Sequence, residues 1–330
     1  MQSPFVSVPY IRYGGNFVPR PPYDIRNITG YGFAANGDIS KIQALVDKTL
    51  NFHGEEPYYK AISSTVLFTF MNMGALLSAN PKDAGKGAYR ETELNLTILL
   101  AAGKHIGGVF VPERLVWHMP YLWLDAGTPL IAGREFFGYP KQLGTIAMPK
   151  SLSEGEAAEF SCSAEVISRF APDAHSSMQP VVKVQRTDGN SVQFARGFQA
   201  IEEAAAGFTK EIMKTDLLDL VAGSIAEALT LKHLLLLVFL RQLPSISDAS
   251  RACYQSIAET SFDVTRFGSA GLLDGKFAID IIKQDTAPIA SDLGFAATNP
   301  EGDARVIPDF GYYLDFDFRL NSGQEIWVAR

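Results

Sequence analysis

The order of hydrophobic and polar residues along the chain predicts strands in several places. The segment 65–73, TVLFTFMNM, is dense in apolar and β-favouring residues and is followed by Gly74, which is typical of a buried strand. Apolar and polar residues alternate at 160–167 and, most regularly, at 314–320, where one face is expected to meet water. Two apolar runs between 105 and 130 suggest a hairpin broken at Pro112, and Asp188-Gly189 has the composition of a hairpin turn. These features favour antiparallel pairing.

A different pattern begins near residue 198. Ile201, Ala205, Phe208 and Ile212 recur at helical spacing among charged residues, and a second helical run follows over 217–228. Because no other part of the chain alternates strands with helices, the pattern predicts an α+β fold that is mostly antiparallel. We expect a single domain over 1–330 with a helical insertion at 198–232.

The composition narrows the classes of partner and compartment. The chain has 330 residues with 29 basic and 36 acidic side chains, and the net charge of −7 offers no footprint for a nucleic acid. Its two cysteines, Cys162 and Cys253, fit a reducing, cytoplasmic setting. The longest plain apolar run, 234–240, is too short to span a bilayer, and the proline-rich first 22 residues do not look like a signal peptide. We therefore expect neither a nucleic acid nor a membrane as a partner.

Common cofactor and catalytic motifs are missing from the sequence. Its glycines do not make a dinucleotide or phosphate-loop spacing, and no Gly-x-Ser-x-Gly element is present. The five histidines are scattered, and none is paired with another at a metal-ligand spacing. The sequence predicts neither a metal ion nor an organic cofactor.

One segment does carry candidate chemistry. Residues 133–144, GREFFGYPKQLG, place Lys141 directly after a proline and among aromatic and aliphatic side chains. Apolar surroundings disfavour a charged ammonium, and a lysine must lose its proton before it can attack a carbonyl. The residues alone leave two interpretations open. The lysine is either a Schiff-base nucleophile or a side chain whose stem covers apolar surface while its head extends to water.

The same segment resembles the active-site segment of the acetoacetate decarboxylase family, and Lys141 falls on that family's Schiff-base lysine. Weaker similarity is found at 18–23 (VPRPPY), 87–91 (GAYRE) and 285–293 (DTAPIASDL), so the resemblance covers most of the chain. It implies a cone-like antiparallel β-barrel with flanking helices, assembled as a homo-oligomer. The implied chemistry is an imine between the lysine and a β-keto acid, followed by loss of carbon dioxide, without a metal or an organic cofactor.

The resemblance also assigns site residues. Glu91 in GAYRE lies on a glutamate expected to line the pocket and to position substrate or move protons, although its polar neighbours alone would make it a surface residue. Tyr139 is expected to form a wall of the pocket. Arg134 is a secondary candidate, because an ion pair that shapes the turn explains it as well as contact with substrate does.

The sequence departs from the family pattern at three places. The second lysine of the Pro-Lys-Lys signature is Gln142, and a glutamate of the early buried strand is Thr69. The arginine that holds the substrate carboxylate falls at or near Ile28, with Arg26 two positions away. Arg26, Thr69 and Gln142 are thus substrate-binding candidates with altered chemistry. We expect acetoacetate to be a poor substrate compared with larger or more apolar carbonyl acids.

The leading hypothesis is a carbon–carbon lyase that forms a Schiff base between Lys141 and a small keto acid and decarboxylates it, with Glu91 as the second catalytic residue. Two alternatives stay open. One is aldol, dehydration or hydration chemistry on an α-keto or enone acid, and the other is a non-catalytic barrel that binds an apolar or carbonyl ligand.

Overall fold

Fourteen strands of one mixed sheet make up most of the structure, a computed structural model that describes residues 9–12, 17–149, 159–188, 194–198, 203 and 236–329. The strands are β1 (Tyr23–Asn36), β2 (Tyr58–Ser78), β3 (Ala88–Ile106), β4 (Val109–Leu124), β5 (Lys141–Ala147), β6 (Glu159–Val166), β7 (Ser177–Arg186), β8 (Phe194–Phe198), β9 (Leu236–Pro244), β10 (Ala252–Leu273), β11 (Phe277–Ile281), β12 (Ala304–Val306), β13 (Phe310–Leu320) and β14 (Gln324–Val328). The helices in the same part of the chain are α1 (Ile39–Thr49), α2 (Gly127–Ala132) and α3 (Ile289–Leu293), with a π-helical turn at Gly133–Phe137.

Seven strands close a ring of pairings. β4, β3, β2, β1, β13 and β10 pair in that order, all antiparallel, and β9 pairs with β10 on one side and β4 on the other. The last pairing is a single parallel residue pair, Trp117 with Leu237. Next to it, His118 Nδ1 lies 2.9 Å from the carbonyl oxygen of Val238. Burial lowers the pKa of His118 to about 4, so a neutral imidazole donates this bond and supports the closure of the ring.

The sheet continues beyond the ring through β5, which pairs parallel with β4, and then through β6, β7, β11 and β12 in antiparallel order. Residue alternation along the ring strands separates two environments. On β3, the even-numbered residues from Leu94 to Leu100 join the main hydrophobic core, and the odd-numbered residues from Glu91 to Thr97 line an internal cavity. The ring therefore has a packed outer face and a hollow inner one.

Several strand predictions are confirmed, and two hairpin predictions are wrong. The segments 65–73, 160–167 and 314–320 lie in β2, β6 and β13 or overlap them, and the sheet is mostly antiparallel. The two apolar runs expected to form a hairpin belong to one strand, β4, whose partner is β3. The turn lies instead at Gly107 and Gly108, which adopt φ values of 58° and 84° that glycine tolerates best. Likewise, the strand after Asp188 is β8, and it pairs with β10 rather than with β7.

The predicted helices fare differently. In the described part of the chain α1 is the one helix longer than six residues, so flanking helices are not supported there. The helical insertion predicted at 198–232 lies outside the described residues, apart from Phe198, which ends β8, and Glu203. No helix among the described residues is long and apolar enough to cross a membrane. The cone-like barrel goes beyond the ring of pairings and stays an expectation from the resemblance.

Gly32 on β1 lets an aromatic side chain cross the inner face of the ring. Its partner on β13 is Tyr312, and a Cβ added to Gly32 would lie 2.0 Å from Tyr312 Cζ. The Tyr312 hydroxyl continues across to β2, where it forms a 2.7 Å hydrogen bond with Thr69 Oγ1. The missing side chain at Gly32 therefore allows a contact that joins three strands.

We expect Gly32→Ala to lower the free energy of unfolding by about 1 to 3 kcal/mol, because the ring of Tyr312 must move away from an overpacked site. The matched control is Gly30→Ala, two residues away on the same strand, where an added Cβ would make ordinary contact with Met71 Cγ at 3.4 Å. That change should be neutral or stabilising by about 0.4 to 1 kcal/mol. Urea denaturation measures both variants, and equal losses would contradict the role given to Gly32.

Candidate active site

An internal cavity of about 350 Å³ lies inside the ring, and all seven ring strands contribute to its wall. Most of the wall is apolar, with Ile25, Met71 and Phe318 as examples. Its charged residues, among the side chains that the structure describes, are Lys141, Glu91 and Glu93. A buried amine, two carboxylates and apolar walls make this cavity the candidate active site. In the described ranges, no group of three or more His, Cys, Asp or Glu side chains is placed to hold a metal ion.

The backbone before β5 fixes where Lys141 begins. The π-helical turn ends at Gly138, which has a φ of 78°, and a Cβ there would lie 2.7 Å from Arg241 Cα of β9. Tyr139 N then donates to Gly133 O at 3.1 Å, and Lys141 N donates to Tyr139 O at 2.8 Å. This compact turn sets Lys141 as the first residue of β5, opposite Leu122 of β4.

The side chain of Lys141 runs past a glycine into the cavity. A Cβ added to Gly133 would lie 2.6 Å from Lys141 Cδ and 2.9 Å from Cε, so this glycine leaves the space that the lysine stem occupies. The whole residue is 5% exposed, and its Nζ lies 5.8 Å from the centre of the Tyr139 ring. The head of the lysine therefore does not extend to water.

Two carboxylates meet the ammonium. Lys141 Nζ donates to Glu91 at 3.3 Å (Oε2) and 3.4 Å (Oε1), and it lies 3.8 Å from Glu93 Oε2. Both glutamates are buried, and they lie on alternate positions of β3, which places them on one face. The same face continues the polar row, because Asn95 Nδ2 donates to Glu93 Oε1 at 3.0 Å and Thr97 Oγ1 donates to Asn95 Oδ1 at 2.9 Å.

One ammonium does not neutralise both carboxylates. Burial raises the pKa of Glu93 to about 7, and the charge of Glu91 adds to this effect, while Lys141 and the hydrogen bond from Asn95 oppose it. Glu93 is therefore partly protonated near neutral pH. Glu93 can therefore both donate and accept a proton in the site near neutral pH.

Tyr139 brings an aromatic wall and a buried hydroxyl. Its ring packs on Phe239 with centroids 4.2 Å apart and stacks on Phe137 at 5.3 Å. Burial raises the pKa of the Tyr139 hydroxyl well above its ordinary value, so the group stays protonated. Among the described residues this hydroxyl has no hydrogen-bond partner, although it is fully buried. A substrate oxygen is a chemically suitable acceptor for it.

The structure brings four of the residues predicted from sequence to the same cavity: Lys141, Glu91, Tyr139 and Thr69. Thr69 lies on β2 opposite Asn95, and its hydrogen bond to Tyr312 places a neutral polar pair where the family pattern has a charge.

Three other residues predicted to bind substrate, Gln142, Arg26 and Arg134, are not part of the wall of this cavity. Gln142 is exposed because adjacent residues on β5 point to opposite faces. Arg26 is exposed and pairs with Asp24 at 3.4 Å, in a register shift between Ile25 and Ile28 of β1. Arg134 is also exposed, and its Nη1 donates to the backbone carbonyl of Lys141 at 3.1 Å, so it holds the backbone of the lysine.

Sequence reasoning missed Glu93 and Asn95. The signal for both was present, because residues 91, 93, 95 and 97 are polar while 94, 96, 98 and 100 are apolar. This period of two predicts a strand with all four polar residues on the face of Glu91.

The raised pKa of Glu93 makes a prediction for stability. As the pH rises from the ordinary pKa of a glutamate to about 7, the unfolded chain releases this proton before the folded chain does, so the folded state loses stability over that window. Glu93→Gln removes the titration and keeps the hydrogen-bond acceptor for Asn95. Relative to wild type, the variant should gain about 1 to 3 kcal/mol between about pH 4 and about pH 8, at ~1.4 kcal/mol for each unit of pKa.

Urea denaturation at both pH values measures this difference. The control is Glu113→Gln, because Glu113 is exposed and its hydrogen bond with Lys104 holds its pKa below the ordinary value. This control should show no gain with rising pH. A pH-independent difference between Glu93→Gln and wild type would mean that the pKa of Glu93 is the same in the folded and unfolded states.

Comparison with known proteins gives one family. The model of the family described as acetoacetate decarboxylase (ADC) matches residues 7–196. No curated protein sequence gives a significant match. Similar solved structures include an acetoacetate decarboxylase from Legionella pneumophila subsp. pneumophila str. Philadelphia 1, with a TM-score of 0.60 and 14% identity over 98% of this chain and 93% of that chain.

Two further structures have related descriptions. The enduracididine biosynthesis enzyme MppR complexed with pyruvate has a TM-score of 0.53 and 13% identity over 94% of this chain and 92% of that chain. An acetoacetate decarboxylase-like enzyme from Sphingomonas wittichii RW1 has a TM-score of 0.52 and 13% identity over 93% of each chain. Identities this low show a common fold. Because the family model covers more than half of the 330 residues, the chain belongs to the acetoacetate decarboxylase family.

Proposed function

We propose that this chain is a Schiff-base-forming lyase in which Lys141 attacks the carbonyl carbon of its substrate. The observation that carries the proposal is the position of Lys141 Nζ, buried in an apolar cavity with Glu91 at 3.3 Å and Glu93 at 3.8 Å. A surface lysine has no need of such an environment. A lysine that must give up a proton and then form a covalent bond with a carbonyl carbon needs both the apolar wall and the nearby proton acceptor.

The contacts suggest a role for each carboxylate. Glu91 accepts a proton from the ammonium, the neutral amine adds to the carbonyl, and Glu91 returns the proton to the departing hydroxyl as water leaves and the iminium forms. With a β-keto acid, the bond to the carboxylate carbon then breaks, carbon dioxide leaves, and the electron pair moves into the iminium to give an enamine. Protonated Glu93 supplies the proton for the enamine carbon, and water hydrolyses the iminium to release the product and Lys141.

The same imine also serves a second candidate function, in which the enamine undergoes aldol, dehydration or hydration chemistry. Two observations favour it. Among the described side chains no arginine lines the cavity, so the usual partner of a substrate carboxylate is missing there. In addition, MppR has been described in complex with pyruvate and with the condensation product of pyruvate and imidazole 4-carboxaldehyde. That protein is similar in fold and is described in complex with carbonyl compounds other than acetoacetate.

A non-catalytic binding protein is the weakest alternative. Holding one ammonium and two carboxylates in an apolar cavity costs stability relative to apolar side chains of similar size. A site that only binds a ligand gains nothing from this arrangement, whereas imine chemistry uses all three groups.

We expect Lys141 to carry the adduct when the protein is incubated with a panel of keto acids, ketones and aldehydes and reduced with borohydride. Peptide mapping by mass spectrometry locates the modified residue. Lys141→Ala and Lys141→Arg should both lose the adduct and the turnover, because a guanidinium stays protonated. Lys104→Arg is the control, since Lys104 lies outside the cavity and is paired with Glu113. Modification of Lys104, or of no lysine, would contradict the proposal.

A glycine pair tests whether the position of the amine matters. Gly133→Ala should place a methyl group against Lys141 Cδ and slow trapping at Lys141, although alanine favours the helical turn. Gly127→Ala in α2 is the matched control, because nothing lies within 4 Å of a Cβ added there. Circular dichroism checks that both variants fold. Equal trapping rates would show that the stem of Lys141 is free to move.

Glu91→Gln should still form the adduct on prolonged incubation, but both the rate of adduct formation and the turnover should fall by about 10² to 10⁴-fold, because the amide retains the shape of the side chain and cannot transfer the proton. Steady-state kinetics on the compound that is trapped fastest measures the loss. Glu113→Gln again serves as the exposed control. Turnover by Glu91→Gln within about threefold of wild type would assign Glu91 to holding Lys141 alone.

A further inference from the structure

The charges inside the cavity limit what can enter it. Among the described side chains, Lys141 is the sole cation of the wall, and it is already in contact with Glu91 and Glu93. Arg26, Arg134 and Arg90, which directly precedes Glu91, are exposed and do not line the cavity. A substrate carboxylate would therefore enter a site that has more acidic than basic groups and, among the described side chains, no cation without a partner.

A substrate carboxylate would still lack a balancing cation after Lys141 has formed its covalent bond with the substrate. With Lys141 converted to an iminium and Glu91 ionised, the site is neutral as long as Glu93 keeps its proton. A carboxylate next to the reacting carbonyl adds one negative charge that no described group balances, and an uncompensated charge in an apolar site is strongly disfavoured. A neutral ketone or aldehyde adds no charge to the cavity.

The polar groups farther from the lysine are also neutral. Asn95 and Thr97 follow Glu93 along β3, and Thr69 lies opposite Asn95 on β2. Asn95 is two residues from Glu93, which corresponds to about 7 Å along the strand. Asn95 and Thr97 are hydrogen-bonded to each other, and Thr69 is bonded to Tyr312. These groups satisfy one another and do not require a charged substrate group.

The rest of the wall favours an apolar body. Apolar side chains from β1, β2, β4, β9, β10 and β13 face the cavity, among them Ile25, Met71, Leu122 and Phe318. The volume of about 350 Å³ equals that of about a dozen water molecules at ~30 Å³ each, which is more than a four-carbon acid fills. A longer hydrocarbon chain would occupy this space and replace water against apolar walls.

Resting on the proposed function of Lys141, we propose that the substrate is a neutral ketone or aldehyde with an extended apolar body and without a carboxylate beside the reacting carbonyl. The proposal keeps imine formation and excludes loss of carbon dioxide as the reaction, so the enamine forms when the C–H bond beside the iminium carbon breaks and its proton goes to the carboxylate of Glu91. It names Glu93, together with the absence of an arginine from the described wall of the cavity, as the feature that selects against keto acid anions.

The first test compares two compounds that differ in charge and little in shape, acetoacetate and its methyl ester. The readout is the rate of borohydride-trapped adduct at Lys141, and Glu93→Gln is compared with wild type so that the intrinsic reactivities of the two compounds cancel. Wild type should prefer the ester, relative to Glu93→Gln, by about ten- to a hundredfold at about pH 8. Glu113→Gln, outside the cavity, should behave as wild type does.

The pH supplies a test that needs no variant. The groups that face Glu93 are Lys141 and Glu91, with Asn95 and Tyr139 beside them. Since Glu93 gains its proton below about pH 7, the preference of the wild type for the ester should be smaller at about pH 6 than at about pH 8. Glu93→Gln should show no such change.

The second test concerns size. Heptan-2-one should be trapped at Lys141 at concentrations at least about tenfold lower than acetone, because each added methylene is buried against apolar walls. Absence of an adduct with every carbonyl compound would overturn the proposed function and this inference together. An adduct with acetoacetate at least as fast as with its ester in both proteins, or release of carbon dioxide from acetoacetate at about 1 per second or faster, would overturn this inference and leave the role of Lys141 standing.

Discussion

The ammonium of Lys141 lies between two carboxylates in a cavity with mostly apolar walls, and charges in such a place must balance locally because water does not screen them. One cation and two acids balance when a single proton is added, and the raised pKa of Glu93 shows where that proton is held. The ionisation of the site, its dependence on pH and its tolerance of a charged substrate all follow from this balance between one cation and two carboxyl groups. Removing either partner of the lysine would change each of these properties at once.

The fold holds these groups together through small features of the chain. The alternation of β3 places Glu91 and Glu93 on the inner face of the ring, and Gly133 leaves the path by which the stem of Lys141 reaches them. On the opposite side, Gly32 allows Tyr312 to cross to Thr69. The two glycines act through the absence of a side chain, and the two glutamates through the period of the strand. A shift of the sequence by one residue would remove either feature.

The sequence was informative where chemistry is local and uninformative where it depends on register. The Pro-Lys segment is enough to single out Lys141, and its resemblance to a family adds Glu91. Glu93 was missed because 88–106 was not predicted as a strand, although its polar and apolar residues alternate. The outward direction of Arg26 follows from the register shift between Ile25 and Ile28, and its ionic partner Asp24 holds it at the surface. No local sequence pattern predicts such a shift in strand register.

The proposed reacting groups and much of the cavity wall lie on different strands, which helps to explain how one fold supports several reactions within a family. The proposed nucleophile begins β5 and its acidic partners lie on β3, whereas much of the wall that a substrate body would contact comes from β1, β2 and β13. A substitution on these three strands changes the shape or charge of the cavity without moving the amine. The position aligned with a carboxylate-binding arginine can therefore become Ile28, buried in the sheet, while the lysine and its glutamate stay in contact. In the proposed function, imine chemistry and the choice of substrate are then separate properties of this ring of strands, and the first can persist while the second changes.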